Sequence, residues 1–264
     1  MTLTMKVDVL VETFGARWAD VRAAAVAVAA GGFDGVWLND HLSGSVQGAP
    51  HVLECWTVLS ALAAAVPRVT LGPLVLNVAN RDAGTLAVMA ATLQEVSGGR
   101  LLLAIGAGGG SGTPYGLEQQ ALGRTVGSDP ERRSAVERTV QTLRALWSGA
   151  TAGTSGFLRP IPQPPILIAA FGPKMADLAG RVGDGLCAPA NVALPELVAI
   201  ARDAHARAGR DPQGFLVAGT LGTVPEQTRQ WAEAGVDRLI VYVSPPFTKG
   251  IRRLADVART PLSK

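Results

Sequence analysis

The chain has 264 residues, of which 48% are hydrophobic, 17% charged and 5% aromatic. This is enough apolar material for a large core, and the length suits one or two domains. The formal net charge of +3 comes without a run of five like charges, which argues against a nucleic-acid-binding protein and suits an anionic small molecule.

The two cysteines and the N-terminus exclude further classes. Cys55 and Cys187 are far apart and lack metal-ligand spacing, so we expect two buried thiols in a reducing cytosol and no metal site. The N-terminus has no apolar core with a basic flank, and no apolar stretch reaches the roughly 18 residues that span a bilayer. We therefore expect a cytoplasmic protein without a signal peptide or membrane partner.

Apolar runs alternate with helical patterns along the whole chain. Strands are predicted at 5–12, 33–38, 69–76, 101–106, 165–170, 184–188, 215–220 and 236–243. Helices are predicted at 17–30, 53–66, 83–96, 129–148, 174–182, 195–208, 225–234 and 249–259. The charged helix is predicted to start with Asp129 as N-cap and Pro130 at the first helical position. Residues 107–129 are predicted to be irregular.

Eight strands alternating with eight helices indicate an α/β fold. Apolar strands without alternation are typical of a parallel sheet that is buried on both faces. Eight β/α units in about 250 residues predict a (β/α)8 TIM barrel. We expect one domain spanning residues 1–264. The alternative is an open doubly wound sheet, which more often has five to seven strands.

Active sites of TIM barrels lie at the carboxyl ends of the strands, so the residues that follow each strand are the candidates. Asn39, Asp40 and His41 follow the second predicted strand. An acid beside a histidine can raise its pKa and hold its charge, so we favour an acid/base function for His41 over a solvated loop histidine. His51 is interpreted as structural, and His205 as a solvated residue on a helix face.

Two glycine-containing segments follow other strands. The run from Gly106 to Gly112 fits a dinucleotide-binding motif poorly, because Ser111 stands at the third glycine position and Pro114 interrupts the expected helix. Such a run more readily lets a flat ligand approach the backbone. The segment Gly172-Pro173-Lys174-Met175 opens a helix, and its backbone N–H groups suit a phosphate. An ordinary helix start with an exposed lysine remains equally compatible with these residues.

Glu12 and Asn77 also follow predicted strands. Glu12 is compatible with a surface carboxylate or with a group that faces the pocket. Asn77 is compatible with a turn cap or with a hydrogen bond to a ligand carbonyl. The residues alone leave both alternatives open.

Six segments in series resemble the bacterial luciferase-like flavin and deazaflavin oxidoreductases. They are GFDGVWLNDHL (32–42), VTLGPLVLN (69–77), GGRLLLAIGAG (98–108), ERTVQTLRALWSG (137–149), ILIAAFGPKMADLAGRVGDG (166–185) and EAGVDRLIVY (233–242). Asn-Asp-His after the second strand, with Glu12 after the first, is most similar to the coenzyme F420-dependent branch.

The resemblance implies a TIM barrel with the deazaflavin ring lying across its mouth. Asp40 and Asn77 would contact the polar edge of the ring, and Ala107 and Gly108 would lie along it. The Leu74–Val75 peptide matches a non-prolyl cis bond of the family, in a bulge that supports the ring. The family's phosphate loop matches Phe171, Gly172, Lys174 and Met175. His41 matches the catalytic position of the sugar-phosphate dehydrogenases of this branch.

One departure from the family bears on the reaction. Those dehydrogenases carry a glutamate in the glycine loop as an acid/base group, and here the position is Gly109. Sugar-phosphate dehydrogenation is therefore doubtful. The chain is also short for the family, with trimmed insertion segments after the fourth and seventh strands, which predicts an open mouth.

The sequence favours an F420-dependent oxidoreductase that acts on a small organic molecule. Hydride would pass between C5 of the deazaflavin and a C=C, C=N or C–OH carbon of the substrate. His41, held by Asp40, would be the proton donor or acceptor, with Glu12 as an alternative. Reduction is favoured because no second base is visible in the sequence. The alternatives are an FMN-dependent monooxygenase that uses O2 and a non-catalytic flavin- or F420-binding protein. Barrels of this family are often dimers, so the resemblance allows a homodimer.

Overall fold

A computed structural model describes residues 5–150, 152–221, 229–247 and 249–252. Its strands are β1 (Lys6–Val11), β2 (Gly35–Leu38), β3 (Thr70–Pro73), β4 (Leu76–Asn77), β5 (Leu103–Gly106), β6 (Ile166–Ala169), β7 (Gly185–Pro189), β8 (Leu216–Leu221) and β9 (Arg238–Val243). Its helices are α1 (Trp18–Ala30), α2 (Cys55–Ala65), α3 (Ala83–Ser97), α4 (Pro114–Ala121), α5 (Asp129–Ser148), α6 (Pro173–Val182), α7 (Leu194–Arg207) and α8 (Arg229–Glu233).

All nine strands are parallel and follow one another in the order β3-β2-β1-β9-β8-β7-β6-β5-β4. The third predicted strand forms two short pieces, β3 and β4, because the chain bends between them. A parallel bridge between Leu71 and Leu101 joins β3 to the segment leading into β5, with the Leu102 N–H donating to Leu71 O at 2.9 Å. This bridge closes the sheet into a barrel and confirms the predicted fold.

Alternating side chains of each strand fill the barrel or pack under the helices, as a pleated strand requires. On β1 and β2, Leu10 and Trp37 point into the barrel, whereas Val9 and Val36 face the helices. Gly72 leaves room for the indole of Trp37, since a Cβ there would lie 2.5 Å from Trp37 Cζ3. The barrel interior is completed by Leu102, Ala104, Leu167, Cys187, Ala218 and Ile240.

Both cysteines are free and buried, as predicted. Burial raises the pKa of the Cys187 thiol to about 12, so this thiol stays protonated and unreactive at neutral pH. Within the described parts of the chain, no group of three or more His, Cys, Asp or Glu residues could hold a metal ion. No helix in the same parts is long and apolar enough to cross a bilayer.

Three sequence predictions differ from the structure. Residues 107–129 contain the helix α4, which starts with Thr113 as N-cap and Pro114 in its first turn. The N-cap of α5 is Ser128, not Asp129, because Ser128 and Glu131 form a reciprocal capping box. His205 is 3% exposed rather than solvated, and its ring nitrogens contact Gly180 O at 2.9 Å and Asp211 O at 3.1 Å.

Two predicted helices are only partly described. Of the helix at 225–234, the structure describes Arg229–Glu233, which are helical. Of the helix at 249–259, it describes residues 249–252, which are also helical. The remaining residues of both predictions lie outside the described residues.

Candidate active site

His41 lies at the mouth of the barrel, just beyond the end of β2. Its Nδ1 is 3.2 Å from Glu118 Oε2, and its side chain is 20% exposed. Phe14 and Tyr115 flank the imidazole, with ring centroids 5.3 and 5.4 Å away. Neither hydrogen bonds nor ion pairs occupy Nε2 among the described residues, so this nitrogen is available to a ligand.

Glu118 was not predicted as a site residue, because it belongs to the helix α4 in a segment that was expected to be irregular. Its carboxylate is 2% exposed and accepts N–H bonds from Leu42 at 2.5 Å and Ser43 at 2.7 Å, besides contacting His41. Burial raises the pKa of Glu118, but the hydrogen bonds from His41 and the two backbone N–H groups outweigh this effect and lower it. Glu118 is therefore an ionised carboxylate that fixes both the imidazole and its loop.

Asp40 does not hold His41, so that prediction is wrong. Its carboxylate is buried and accepts both guanidinium nitrogens of Arg81, at 2.9 and 2.8 Å, and the N–H of Asn77 at 2.8 Å. Arg81 also donates to Glu54 Oε1 at 2.5 Å. The adjacent residues Asp40 and His41 thus have different partners. Asp40 binds residues of β4 and the loop that follows it, whereas His41 contacts Glu118 of α4.

The bulge between β3 and β4 lies beside the glycine loop. The Leu74–Val75 peptide is cis, and both side chains pack against the barrel interior. A Cβ at Gly106 would lie 2.7 Å from Val75 Cγ2, so the glycine permits this packing. Asn77 follows the bulge, is 8% exposed and uses its Oδ1 to accept the N–H of Ala79.

The glycine loop itself is held by α4 and α5. Gly108 has a φ of +69°, and its carbonyl accepts an N–H from Arg132 at 2.5 Å. A Cβ at Gly108 would lie 2.6 Å from Asn77 Oδ1 and would also meet Gln119 Nε2. Ala107, beside it, is partly buried against the outer core. The loop is thus a close-packed floor at the mouth.

The packing around position 109 explains why a glycine stands there. A Cβ at this position would lie 2.7 Å from Thr113 Oγ1 and 2.9 Å from the N of Gly116, and would collide with Tyr115 Cβ. The N-terminal turn of α4 occupies the space that a side chain at 109 would need. A carboxylate nevertheless reaches the mouth, because the same helix carries Glu118.

Glu12 and Tyr242 line another part of the mouth. The Glu12 carboxylate accepts the hydroxyl of Ser244, and its backbone N–H donates to Val243 O at 3.1 Å. Burial raises the pKa of the Tyr242 phenol; the hydrogen bond with Thr220 lowers it, and Cys187 and then Glu12 make smaller contributions that raise it. Glu12 is therefore at the mouth, but the structure does not bring it into hydrogen-bond contact with His41.

The segment after β6 forms the start of α6. Phe171 is 84% exposed, and a Cβ added at Gly172 would meet nothing within 4 Å. The N–H groups of Met175 and Ala176 donate to Gly172 O, each at 3.1 Å. Gly172 and Lys174 have backbone N–H groups without an acceptor among the described residues. Two N–H donors and a lysine thus face open space at a helix N-terminus.

Several buried polar atoms at the mouth lack a partner within the described parts of the chain. They are Thr13 Oγ1 after β1, Asn39 Oδ1 after β2 and Gln119 Nε2 on α4. Buried polar groups are nearly always hydrogen-bonded, so these atoms need an external donor or acceptor. An amide donor and an oxygen acceptor at one mouth suit the polar edge of a flat heterocycle.

A model of the luciferase-like monooxygenase family matches residues 2–260. The chain belongs to this family. The resemblance found in the sequence is thereby confirmed.

Several relatives of this luciferase-like protein are named as reductases or dehydrogenases. A phthiodiolone/phenolphthiodiolone dimycocerosates ketoreductase of Mycobacterium kansasii is 30% identical, over 84% of this chain and 68% of the relative. An F420-dependent hydroxymycolic acid dehydrogenase of Mycobacterium tuberculosis is 31% identical, over 72% of this chain and 54% of the relative. An F420-dependent glucose-6-phosphate dehydrogenase of Beutenbergia cavernae is 32% identical, over 66% and 53%. The chain spans about half the length of the latter two.

Solved structures share the fold of this luciferase-like protein. An F420-dependent secondary alcohol dehydrogenase, solved with an F420-acetone adduct, aligns with a TM-score of 0.80 at 19% identity and covers 96% of this chain and 98% of its own. An EDTA monooxygenase from Chelativorans sp. BNC1 aligns with a TM-score of 0.68 at 16% identity, covering 87% and 67%. At these identities the likeness establishes the barrel.

Proposed function

We propose that this protein is an F420-dependent oxidoreductase that transfers a hydride between C5 of the deazaflavin and a small organic substrate. The observation that carries the proposal is the His41–Glu118 pair at the mouth, with Nε2 of His41 unoccupied. Relatives named as F420-dependent dehydrogenases, at about 30% identity, support the choice of cofactor. The unpartnered atoms of Asn39 and Gln119 and the open N-terminus of α6 fit a heterocycle that carries a phosphate.

The residues that would hold F420 are those of the mouth and of the α6 start. Asp40, Asn77, Leu74 and Val75 would support and contact the ring, and Ala107 and Gly108 would form the floor beneath it. Gly172 and Lys174 would bind the phosphate, with Phe171 and Met175 flanking it. When bound, F420 would supply the hydride chemistry, between its deazaflavin ring and an alcohol or carbonyl carbon.

His41 is the proposed acid/base residue, with Glu118 as the group that positions it. Because the Glu118 carboxylate accepts from Nδ1–H, the neutral imidazole presents Nε2 as a base. During oxidation Nε2 takes the hydroxyl proton of the alcohol, and during reduction the imidazolium returns it to the carbonyl oxygen. The sequence favours reduction because no second base is visible in it. Glu118 beside His41 removes that reason, so the geometry supports both directions.

A titration tests the cofactor. F420 or FMN is added to the purified protein, and quenching of the cofactor fluorescence is followed. We expect tight binding of F420 and none of FMN. Tight binding of FMN alone would contradict the proposal and favour an FMN-dependent monooxygenase, whose fold the EDTA monooxygenase shares. A protein that binds F420 but turns over neither alcohols nor ketones would be the non-catalytic alternative. Gel filtration checks whether the protein forms the homodimer that the family resemblance allows.

His41→Ala tests the acid/base role. We expect the turnover number to fall by about 10²–10⁴-fold, the usual contribution of a general acid or base, while F420 binding is unchanged. His51→Ala is the matched control, because His51 Nε2 contacts the carbonyl of Ala16 at 3.1 Å rather than the mouth. Unchanged turnover of His41→Ala would remove His41 from the mechanism.

A further inference from the structure

The connection between α4 and α5 folds back onto the loop after β4 and the glycine loop. Arg124, in this connection, donates from Nη1 to Asn80 Oδ1 at 2.7 Å. Asn80 ends the 3-10 helix Val78–Asn80, and α5 lies against that helix. Arg132, in the first turn of α5, donates to Gly108 O at 2.5 Å. One chain of contacts thus joins two arginines and an amide beside the glycine loop.

The positive charge of these two arginines is only partly compensated. Arg124 pairs with no carboxylate among the described residues, because its guanidinium donates to the neutral amide of Asn80. Arg132 pairs with Asp129 at 2.6 Å, but 76% of the Asp129 side chain is exposed, so solvent screens this pair. The cluster therefore carries an excess of positive charge.

The unpartnered atoms of the cluster are N–H donors. Arg132 Nε and Asn80 Nδ2 are buried and have no hydrogen-bond partner within the described parts of the chain. The orientation of the Asn80 amide is fixed, because an arginine can only donate and Arg124 therefore needs Oδ1 on its side. Asn80 as a whole is 7% exposed, so its free donor is not satisfied by bulk water.

A surplus of donors and positive charge determines which ligand fits. A water molecule accepts two hydrogen bonds but adds two donors of its own, and two guanidinium groups repel a metal cation. A carboxylate or phosphate group brings two or more negatively charged acceptor oxygens, and guanidinium groups bind such oxygens through short charge-assisted hydrogen bonds. The cluster therefore matches an oxyanion.

We propose that Arg124, Arg132 and Asn80 form a binding site for an oxyanion, either a carboxylate or a phosphate group. The site is open at Arg124, because residues 121–123 and 125 are exposed. It shares no residue with those proposed to hold F420, so the inference goes beyond the proposed function and does not depend on it. Because Arg132 also holds Gly108 O, an anion bound here stabilises the floor of the mouth.

Isothermal titration calorimetry with inorganic phosphate and with acetate, at constant ionic strength, tests the site. The wild type and Lys174→Gln are both titrated, since phosphate can also bind at the start of α6 in the wild type. We expect binding to persist in Lys174→Gln and to weaken about tenfold or more when Arg124→Gln is added, because a charge-assisted hydrogen bond is lost. The probe that binds more tightly identifies the natural group as phosphate or carboxylate.

Asn80→Asp separates the loss of the site from a loss of the fold. The new carboxylate still accepts from Arg124, removes the unpartnered Nδ2 and supplies the missing negative charge from within the chain. We expect a melting temperature at or above that of the wild type, together with loss of phosphate and acetate binding.

Arg138→Gln is the charge-matched control. Arg138 is exposed on α5 and makes no hydrogen bond or ion pair within the described residues. Its removal lowers the net charge by the same amount as Arg124→Gln, and we expect both probes to bind as tightly as in the wild type.

The outcomes are distinct. Absence of binding of both probes to the wild type would overturn the proposal, and so would binding that Arg124→Gln or Asn80→Asp leaves unchanged. Phosphate binding that disappears in Lys174→Gln, without acetate binding elsewhere, would place the anion at the start of α6 and overturn it as well. F420 binding is measured separately and tests the proposed function alone.

Discussion

The carboxylate beside His41 comes from a residue far along the chain. The sequence predicts that Asp40, the neighbour of His41, holds it, and shows a glycine at position 109 where related dehydrogenases carry a glutamate; neither position supplies the carboxylate. Glu118 does so, 77 positions away from His41. Its three acceptor contacts make it a positioning group, because it fixes both the Nδ1 side of the imidazole and the backbone of the loop.

Glu118→Gln tests this role without removing the side chain. The amide oxygen can still accept from Leu42 and Ser43, but the amide nitrogen would donate to His41 Nδ1 and reverse the tautomer. We expect the turnover number to fall about 10²–10³-fold, with F420 binding retained.

Two further readouts separate positioning from a structural role in that variant. Its pH–rate profile is expected to shift, because the imidazolium loses an adjacent negative charge. Glu118→Asp, which keeps the charge, is expected to recover part of the rate. A rate and profile like those of the wild type would show that Glu118 serves only the fold.

The site residues were predictable only in part, for a local reason. His41, Asp40, Glu12 and Asn77 were identified because they directly follow apolar strands, and the barrel topology brings strand ends together. The partner of His41 was missed, since contacts between a loop and a helix leave no short-range pattern in the sequence. The expected cofactor contacts of Asp40, Asn77 and Lys174 stay predictions.

The helix α4 was not predicted from the sequence. Its glycine and its low apolar content are typical of a loop, but Thr113 followed by Pro114 is the same signal, a polar residue before a proline, that predicted the start of the charged helix at Asp129-Pro130. At Thr113-Pro114 the same signal predicts the start of a helix, and that helix would contain Glu118.

Gly109→Ala tests the packing of α4 against the glycine loop. The added methyl group would collide with Tyr115 Cβ and lie 2.7 Å from Thr113 Oγ1, so α4 must move and carry Glu118 with it. We expect a loss of about 1–3 kcal/mol in stability, as in other overpacked sites, together with a lower turnover number. Thermal melts and steady-state kinetics measure the two effects.

Gly110→Ala is the control for that substitution. A Cβ at Gly110 has Arg132 Nη2 as its nearest neighbour, at an ordinary 3.5 Å. We expect both the melting temperature and the rate to be close to those of the wild type. Equal effects of the two alanines would contradict the proposed collision with α4.

Asp184 connects several elements through one carboxylate. It accepts from Arg144 of α5 at 2.8 Å, from Arg210 after α7 at 2.6 Å and from the N–H of Ile166 on β6 at 2.9 Å. Burial raises the pKa of Asp184, but these partners outweigh it, so the pKa lies below its ordinary value of 3.8. The folded state therefore favours the ionised form.

This depressed pKa predicts the pH dependence of stability. The contribution of Asp184 is fully present above the unfolded-state pKa of 3.8 and is lost as the pH falls through the lower folded-state pKa. Melting temperatures of the wild type and Asp184→Asn should differ by a constant amount from pH 5 to 7, and the difference should shrink below about pH 3.8. A difference that grows on acidification would contradict this sign.

At the scale of the whole barrel, the strand pattern was sufficient to predict the fold. Eight apolar runs were found, and the bend that divides one of them into β3 and β4 does not alter the count of β/α units. The contacts between β1 and β9 were not predictable, since pairing between the first and last strands depends on residues more than two hundred positions apart.

One of those contacts is a buried ion pair. Arg238 of β9 donates to both oxygens of Asp8 on β1, each at 2.7 Å, and Trp37 Nε1 donates to the same carboxylate at 2.9 Å. Arg238→Met would leave the Asp8 charge buried without its partner. We expect this to cost about 3–5 kcal/mol and to lower the melting temperature by about 10 °C.

Arg181→Met serves as the control for that prediction. Arg181 pairs with Asp177 and Glu137 at the surface of α6, with 43% of its side chain exposed. Such pairs contribute about 0–1 kcal/mol, so little change is expected. Denaturant unfolding measures the stability of both variants. Similar losses of unfolding free energy would show that the buried ion pair contributes no more than the surface pairs.

The ladder between β1 and β9 also has a consequence for synthesis. Six residue pairs join these strands, from Lys6 with Arg238 to Val11 with Val243. Translation proceeds at about 5–20 residues per second, so β1 leaves the ribosome about 10–50 s before its partner exists. During that time one edge of β1 has no partner and the Asp8 carboxylate lacks Arg238, and the nascent chain presents an open sheet edge that can pair with other chains. The barrel therefore closes only after nearly the entire protein has been made.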